Sequence, residues 1–176
     1  LASAATTEAP TTKSEWAFSS TVNGDAVANA GGSWTAGAPT VAENKLAIND
    51  ATFAATEKSA DDIVVITMED VIFGDINDAE ISGAQAGIRI GTNDKFEVLS
   101  ATGWTTTEIS ANGEDPYDVV LTINYATKKY SVKIGTGTFA NIPLAGSETG
   151  VNAIEFNGAG SLASLAGEAY DGNMVV

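Results

Sequence analysis

Apolar and polar residues alternate most regularly between Tyr117 and Ile134. The alternation has a period of two, which is typical of a strand with one buried face, and a polar break at 126–129 interrupts it once. This segment therefore predicts an antiparallel hairpin with a short polar connection. The apolar positions are Val119, Leu121, Ile123 and Tyr125 on the first arm and Tyr130, Val132 and Ile134 on the second.

The rest of the chain repeats this pattern in shorter segments. The run Ile63–Met68 is apolar on both faces and predicts a central strand that is covered on both sides, and the segments 86–90 and 95–99 predict a second hairpin. Polar, glycine-rich stretches at 23–33 and 74–83 predict loops, whereas 161–169 would tolerate a helical turn. With about a dozen short strands, we predict an all-β, antiparallel two-sheet jelly-roll sandwich with no substantial helix.

The beginning of the chain differs from the remainder. Residues 1–15 are rich in Ala and Thr and lack apolar periodicity, so we predict an extended N-terminal arm over 1–15 and a single jelly-roll domain over 16–176. Such an arm either packs along the edge of its own domain or adds a strand to a neighbouring copy. The second possibility predicts an assembly contact through Thr6, Thr7, Ala9, Thr11 and Thr12.

Charge argues against nucleic acid as a ligand. Eight Lys and Arg residues face 23 Asp and Glu residues, which gives a formal net charge of −15. Nucleic-acid binding needs Lys and Arg to neutralise phosphates, and anionic membrane surfaces disfavour an acidic protein for the same reason. No apolar run approaches the roughly 18 residues of a membrane-spanning helix. We therefore expect neither nucleic acid nor a membrane span.

Cys and His are both absent from the sequence. A disulfide, a Cys or His metal site and Ser-His-Asp catalysis are therefore excluded. The chain begins at Leu1, and its Ala-Ser-Ala-Ala start is similar to the region that follows a signal-peptide cleavage site. We expect an extracellular or cell-surface protein of a prokaryote.

The hairpin Tyr117–Ile134 resembles a strand pair of the concanavalin A-like lectin/glucanase (laminin-G-like) jelly-roll superfamily, in which the second strand carries an internal Tyr-x-Val pattern. The segment Gly150–Leu162 resembles the closing strand of those domains with its Gly-x-Gly-Ser turn, and Trp16 with Phe18 resembles the aromatic first strand. The resemblance implies a jelly-roll sandwich. It selects no function, because the superfamily includes lectins, glucanases, adhesion modules and structural domains.

The acidic string 75–80 suggests two kinds of chemistry. Laminarinase-like members of the superfamily carry catalytic carboxylates as Glu-x-Asp-x-x-Glu on a strand, where alternation points them into one cleft. In this chain Asp75 and Asn77 replace the first two positions and the surroundings predict a loop, so we expect no enzyme. The same string has the oxygen ligands that Ca²⁺ prefers, with solvated charge as the alternative. The candidate calcium ligands are Asp75, Asn77, Asp78 and Glu80.

Aromatic side chains are the candidates for stacking on sugar rings. Alternation places Trp16, Tyr125 and Tyr130 on strand faces that a sandwich buries, which makes them candidates for the core. Trp34 follows a glycine-rich stretch and Trp104 stands among threonines, so these two are the candidate carbohydrate-binding residues.

Three hypotheses of function follow. The lack of a catalytic set, the short chain and the arm favour a non-catalytic secreted structural protein, which assembles with copies of itself through edge strands and the arm into a filament, sheath or surface layer. The alternative is a carbohydrate-binding, lectin-like module for extracellular polysaccharide, assisted by calcium if the acidic string binds it. An acidic glycosidase is the third hypothesis.

Overall fold

A computed structural model describes residues 12–60 and 62–171. These residues form fourteen β-strands and one short 3-10 turn, Ser82–Ala84. The strands are β1 (Thr12–Asn23), β2 (Ala26–Ala30), β3 (Gly32–Ala36), β4 (Thr40–Ala42), β5 (Lys45–Ala55), β6 (Ile63–Ile81), β7 (Gly87–Ile90), β8 (Lys95–Ser100), β9 (Gly103–Ser110), β10 (Pro116–Asn124), β11 (Lys129–Ile134), β12 (Gly137–Pro143), β13 (Ala153–Leu162) and β14 (Ser164–Asp171). In this described part of the chain, no helix is long and apolar enough to cross a membrane.

The strands form two layers, and β6 belongs to both. In the first sheet the order is β12-β11-β10-β6-β14-β1-β2, and β6 contributes residues 63–72. In the second sheet the order is β9-β8-β7-β6-β13-β5-β3, with β4 also beside β5, and β6 contributes residues 72–81. Asp70 and Gly74 adopt positive φ angles of 53° and 52° where β6 passes between the layers. The predicted all-β, antiparallel two-sheet sandwich is confirmed.

The hydrophobic core lies between the two sheets and takes one face of each. Its members include Ile66 and Leu121 of the first sheet and Phe53, Phe96 and Phe156 of the second, each at most 1% exposed. Burial of a side chain of this size contributes about 1.5–3 kcal/mol. The core therefore fixes which face of every strand points outward.

The hairpin predicted between 117 and 134 is confirmed as β10 and β11, and the second predicted hairpin is confirmed as β7 and β8. In β10–β11 the side chains that share the core face form cross-strand pairs, as the alternation requires. These buried pairs are Val119 with Ile134, Leu121 with Val132 and Ile123 with Tyr130.

The acidic stretch 74–83, predicted as a loop, is mostly strand, because β6 continues to Ile81. A β-bulge conceals the alternation. The register against β13 shifts between Asn157 and Gly158, so that Asn77 and Asp78 both lie between the buried positions Ile76 and Ala79. One extra residue thus disturbs a pattern of period two, and Asp and Asn are unfavourable in strands by propensity.

Two other predictions of local structure are corrected. The predicted loop 23–33 contains β2 and the start of β3; β2 is an edge strand beside β1 and lacks a continuous apolar face, so its sequence carries no alternation. The stretch 161–169 is extended, as the end of β13 and most of β14. The first half of β6 is central, but only one of its faces is fully covered, because Val65 and Thr67 are half-buried.

Candidate functional site

Polar side chains from five adjacent strands meet on the outer face of the second sheet, which points away from the core. Residues directly opposite each other in paired strands point to the same face and lie about 5 Å apart. The cross-strand pairs are Glu155 with Glu80, Asn157 with Asp78, Arg89 with Glu97 and Glu97 with Thr106. We call this surface the polar face; its members are Asp78, Glu80, Arg89, Glu97, Trp104, Thr106, Glu155 and Asn157.

Asn157 holds two carboxylates of the polar face together. Its side-chain nitrogen donates to Oδ1 of Asp78 at 2.7 Å and to Oε1 of Glu155 at 3.2 Å. Glu80 lies beside this trio, opposite Glu155 in the ladder between β6 and β13. Three carboxyl groups therefore share one patch of the sheet, with one amide donor between two of them.

The pKa of Glu80 is raised to about 7. Partial burial is the largest cause, followed by the hydrogen bond with Asp78 and the negative charges of Asp78 and Glu155, whereas the charge of Arg89 acts in the opposite direction. A carboxyl group with this pKa is protonated part of the time at neutral pH, and only the protonated form donates a hydrogen bond. The patch therefore has both donors and acceptors at neutral pH.

Arg89 joins this acidic patch to an aromatic ring. Its Nε donates to Oε1 of Glu97 at 2.8 Å, and its guanidinium carbon lies 4.2 Å from the centre of the Trp104 ring. The hydroxyl of Thr106 donates to Oε2 of Glu97 at 3.3 Å. The side chains of Arg89 and Glu97 are 36% and 15% exposed, so solvent screens this pair less than an open surface pair.

Gly87 gives Trp104 room to lie across the sheet. A Cβ atom at position 87 would lie 3.1 Å from both the Trp104 ring and Cγ of Glu80. The indole therefore reaches from β9 over β8 to β7, and its ring and the Glu80 side chain lie against the same glycine. A side chain at position 87 would require the ring, the Glu80 side chain and the equally close carbonyl oxygen of Ala79 to shift by a few tenths of an ångström.

A buried tyrosine fixes the strands beneath this ring. The hydroxyl of Tyr130, in the first sheet, donates to the carbonyl oxygen of Leu99 at 2.5 Å and accepts from the N–H of Gly87 at 3.4 Å. Leu99 is the cross-strand neighbour of Trp104. Burial raises the pKa of the Tyr130 phenol above its usual range, so the hydroxyl keeps its proton. The core thus positions the backbone on which the polar face is built.

The structure separates the two predicted carbohydrate-binding tryptophans. Trp104 lies on the polar face. Trp34 points into the edge of the core, where its ring centroid is 5.3 Å from that of Phe53 and 6.2 Å from that of Phe156. Its indole N–H donates to Oγ of Ser20 at 2.8 Å. The two tryptophans therefore do not form one site.

The four predicted calcium ligands are also divided. Asp78 and Glu80 belong to the polar face, whereas Asp75 and Asn77 line a separate depression of about 340 Å³. Among residues 12–60 and 62–171, no group of three or more His, Cys, Asp or Glu side chains is arranged to hold a metal ion. Calcium binding by this quartet stays a prediction.

The predicted arm and its assembly contact lie mostly outside the described residues. Thr12 is in β1, where it pairs with Asp171 of the same chain, and Lys13 pairs with Tyr170. At these two positions β1 therefore pairs with β14 of the same chain. The assembly residues outside the described ranges are Thr6, Thr7, Ala9 and Thr11.

Five of the eight members of the polar face were not predicted as site residues: Arg89, Glu97, Thr106, Glu155 and Asn157. Arg89 and Glu97 occupy polar positions of a correctly predicted hairpin, so their alternation was a usable signal. Glu155 and Asn157 come beside Glu80 and Asp78 only because β13 pairs with β6, which is distant in sequence. No local pattern predicts that pairing.

Several solved structures align with this chain over most of its length. A Trypanosoma rangeli sialidase in complex with 2,3-difluoro-KDN aligns with a TM-score of 0.58 at 16% identity, over 89% of this chain and 30% of the sialidase. The carbohydrate recognition domain of Emp47p aligns with a TM-score of 0.48 at 8% identity, over 94% of this chain and 100% of that domain. The β-glucanase of Bacillus licheniformis aligns with a TM-score of 0.45 at 8% identity, over 91% and 94% of the two chains.

The similarity concerns the fold and not the sequence. No protein-family model matches the chain, and no curated protein matches it. The chain spans only 15%, 30% and 31% of the three sialidase chains that it matches. At identities of 16% and below, what these proteins share with the chain is their architecture.

Proposed function

We propose that this chain, which has the concanavalin A-like jelly-roll fold, is a non-catalytic carbohydrate-binding module with the polar face as its binding surface. One observation carries the proposal: Trp104, the Arg89–Glu97 pair and the carboxylates bridged by Asn157 share one face of a sheet. Sugar rings present apolar C–H faces, which pack on aromatic rings, and hydroxyls, which donate and accept hydrogen bonds. The polar face supplies groups for each of these contacts.

The polar face is organised before any ligand binds. Arg89 is held by both Glu97 and the Trp104 ring, and Asn157 is held by two carboxylates. Side chains that are already ordered lose less conformational entropy on binding, and each immobilised long side chain otherwise costs about 0.5–1.5 kcal/mol. This arrangement supports a binding role for the face.

Charge favours a neutral sugar. The polar face contains four carboxyl groups and one guanidinium group, and the chain as a whole carries a formal charge of −15. An anionic sugar would meet repulsion both on approach and at the surface. We therefore expect a neutral hexose polymer as the ligand rather than a polyuronic or sialic acid.

The fold agrees with a carbohydrate as the first ligand class to test. One Trypanosoma rangeli sialidase with this fold was solved in complex with sialic acid and aligns with a TM-score of 0.54. Because the likeness is one of fold alone, it makes carbohydrate the first ligand class to test and no more, and the residues of the polar face are what support a neutral sugar.

Affinity electrophoresis against a panel of polysaccharides tests the proposal. The panel contains neutral β-glucans, xylan and mannan, with pectate and alginate as anionic members. We expect retardation by at least one neutral polymer and a loss of about 30-fold in affinity, equivalent to about 2 kcal/mol, in Trp104→Ala. Thr122→Ala, on the outer face of the first sheet, is the matched control and should bind like wild type. Unchanged affinity in Trp104→Ala would contradict the proposal.

Glycoside hydrolysis is the second candidate, and two observations favour it. The acidic string lies on a strand, and the pKa of Glu80 is raised to about 7, where a carboxyl group can act as a general acid. Release of reducing sugar from a bound polysaccharide, abolished in Glu80→Gln, would establish hydrolysis. Binding without release supports the module.

Self-assembly into a filament, sheath or surface layer was the first hypothesis from the sequence. It depends mainly on residues 1–11, which lie outside the described ranges, and the comparisons give it no support. Carbohydrate binding therefore replaces it as the leading proposal.

A further inference from the structure

A second candidate site lies at one end of the sandwich and shares no residue with the polar face. Two adjoining depressions of about 270 and 210 Å³ both have Tyr125 and Thr149 in their walls. Asp62 lines the first, and Lys128 and Glu148 line the second. Their combined size is in the range of a few hundred cubic ångströms that is usual for small-ligand sites.

The ring of Tyr125 is fixed at the junction of these depressions. Its hydroxyl donates to Oε1 of Gln85 at 2.7 Å, and Gln85 is fully buried. The amide nitrogen of Gln85 donates in turn to the carbonyl oxygens of Ser82 at 2.8 Å and Gly150 at 3.0 Å. The phenol is therefore anchored at its far end, and the half-buried ring is a rigid wall of both depressions.

The two loops beside the ring are hydrogen-bonded to each other. The N–H of Val151 donates to Oγ of Ser59 at 2.8 Å, and the N–H of Ser59 donates to the carbonyl oxygen of Val151 at 3.0 Å. Gly150 has a φ of +80°, and a Cβ there would lie 2.2 Å from the carbonyl oxygen of Ser59. Only glycine permits this close approach, so the two loops are held together beneath the first depression.

The chemistry of the walls suits a neutral, hydroxyl-rich ligand. Asp62 and Glu148 are acceptors, Lys128 is a donor and the Thr149 hydroxyl is both. Glu148 also faces Lys58 at 3.8 Å, so charges of both signs are present and neither dominates. An aromatic wall with balanced polar groups is the arrangement that one sugar ring needs.

We infer that the end of the sandwich around Tyr125 and Thr149 is a second sugar site, which holds a single neutral sugar unit against the Tyr125 ring. The inference takes its ligand class from the proposed function but places the ligand at a different surface. Two sites on one domain would let it bind a polysaccharide at two points, and linked contacts raise the overall affinity without new interactions.

Amide NMR titration with a neutral tetrasaccharide tests this inference. The tetrasaccharide is taken from the polysaccharide that binds in electrophoresis. If no polysaccharide binds there, cellotetraose and laminaritetraose are the probes. In wild type we expect shifts in two separate groups, the polar face and residues 125–128 with 147–150. Trp104→Ala should lose only the first group. Tyr125→Leu should lose only the second, with at least a tenfold weaker apparent affinity there. Tyr125→Phe keeps the ring and should keep the second group.

If Tyr125→Leu fails to fold, a variant that keeps Tyr125 but blocks the site still tests the inference. Thr149 is exposed and lines both depressions, so Thr149→Arg should fill them and remove the second group of shifts; Thr92→Arg, in an exposed turn, is its control. Absence of shifts at 125–128 and 147–150 at saturating tetrasaccharide overturns the inference, as does their persistence in Thr149→Arg. Shifts at the loops without shifts at the polar face support the inference and contradict the proposed function, so the two failures are distinguishable.

Discussion

The two sheets present different surfaces to solvent, although one strand supplies both. The first half of β6 presents Val65 and Thr67 on the outer face of the first sheet, and the second half presents Asp78 and Glu80 on the polar face. The neighbours differ as well, since Val65 lies between Thr122 and Glu168, whereas Glu80 lies beside a second carboxylate, Glu155. The first half of β6 therefore presents a largely uncharged surface, whereas its second half presents two carboxyl groups of the polar face.

The ion pairs of the two faces make the difference quantitative. Lys13 and Glu168, on the first sheet, are 2.6 Å apart, with side chains 53% and 40% exposed. Arg89 and Glu97, on the polar face, are 2.8 Å apart but 36% and 15% exposed, and the Trp104 ring covers the guanidinium. The shorter contact is the weaker constraint, because solvent screens its more exposed charges. Each glutamate also accepts a hydroxyl hydrogen bond, from Tyr170 or Thr106, but the guanidinium of Arg89 lies against an aromatic ring as well. The ion pair of the polar face therefore differs from that of the first sheet in its burial and in its aromatic neighbour, and not in being shorter.

Removing the hydroxyl that supports the polar face should have the largest effect on stability. Tyr130→Phe removes the donor to the partly buried carbonyl oxygen of Leu99 and the acceptor of the buried Gly87 N–H, so we expect the free energy of unfolding to fall by about 2 kcal/mol in urea titration. Tyr170→Phe is the matched control on the first sheet, where the phenol donates to the half-exposed Glu168. Equal losses in the two variants would show that the hydroxyl of Tyr130 stabilises the protein no more than the more exposed hydroxyl of Tyr170.

The two faces should respond to pH with opposite sign. The folded pKa of Glu80, about 7, exceeds the ordinary value of 4.5, so the native state binds more protons in between and loses stability as pH rises from 4.5 to 7. Glu80→Gln should remove this penalty and be more stable than wild type at pH 8, by on the order of 1 kcal/mol after solvent screening. The measurement is urea unfolding at pH 4 to 8.

Glu168 is the control for that pH series. The hydrogen bond from Lys13, then that from Tyr170, lowers the pKa of the Glu168 carboxyl. Its contribution is therefore present above its ordinary pKa and is lost as pH falls through the lowered value. Glu168→Gln should be slightly less stable than wild type at neutral pH. If Glu80→Gln and Glu168→Gln change the free energy of unfolding in the same direction at neutral pH, the two faces do not differ in their electrostatics as proposed.

A change of cation at the polar face should have the smallest effect. Arg89→Lys keeps the positive charge but loses the planar contact with Trp104, so we expect the affinity for the polysaccharide to fall about threefold, equivalent to about 0.6 kcal/mol. Lys13→Ala, which breaks the ion pair of the first sheet, should leave the affinity unchanged. Calorimetric titration with the oligosaccharide separates these results.

The same contrast explains what could be predicted from sequence. In the first sheet the β10–β11 hairpin alternates strictly, and its pairing of Leu121 with Val132 was evident from the period alone. The second half of β6 was missed because a bulge at Asn77 and Asp78 adds a residue to that period. Functional surfaces often break local rules in this way, since bulges re-aim side chains.

The candidate site was predictable only in part, for a different reason. Trp104 and Glu80 were singled out, but so was Trp34, which follows a glycine-rich stretch and points into the core. Which way a tryptophan points depends on register and on cross-strand partners such as Leu99. Those partners come from pairings that the linear pattern does not specify.

The indole N–H resonances test the central claim most directly, because the chain has three tryptophans in three settings. The N–H of Trp16 donates to the carbonyl oxygen of Glu57 and that of Trp34 to Ser20, while Trp104 lies on the polar face. When a neutral oligosaccharide is titrated into the ¹⁵N-labelled protein, we expect the Trp104 indole signal to shift and saturate while the other two stay unmoved. Binding of the sugar with an unmoved Trp104 signal would contradict the polar face as the site.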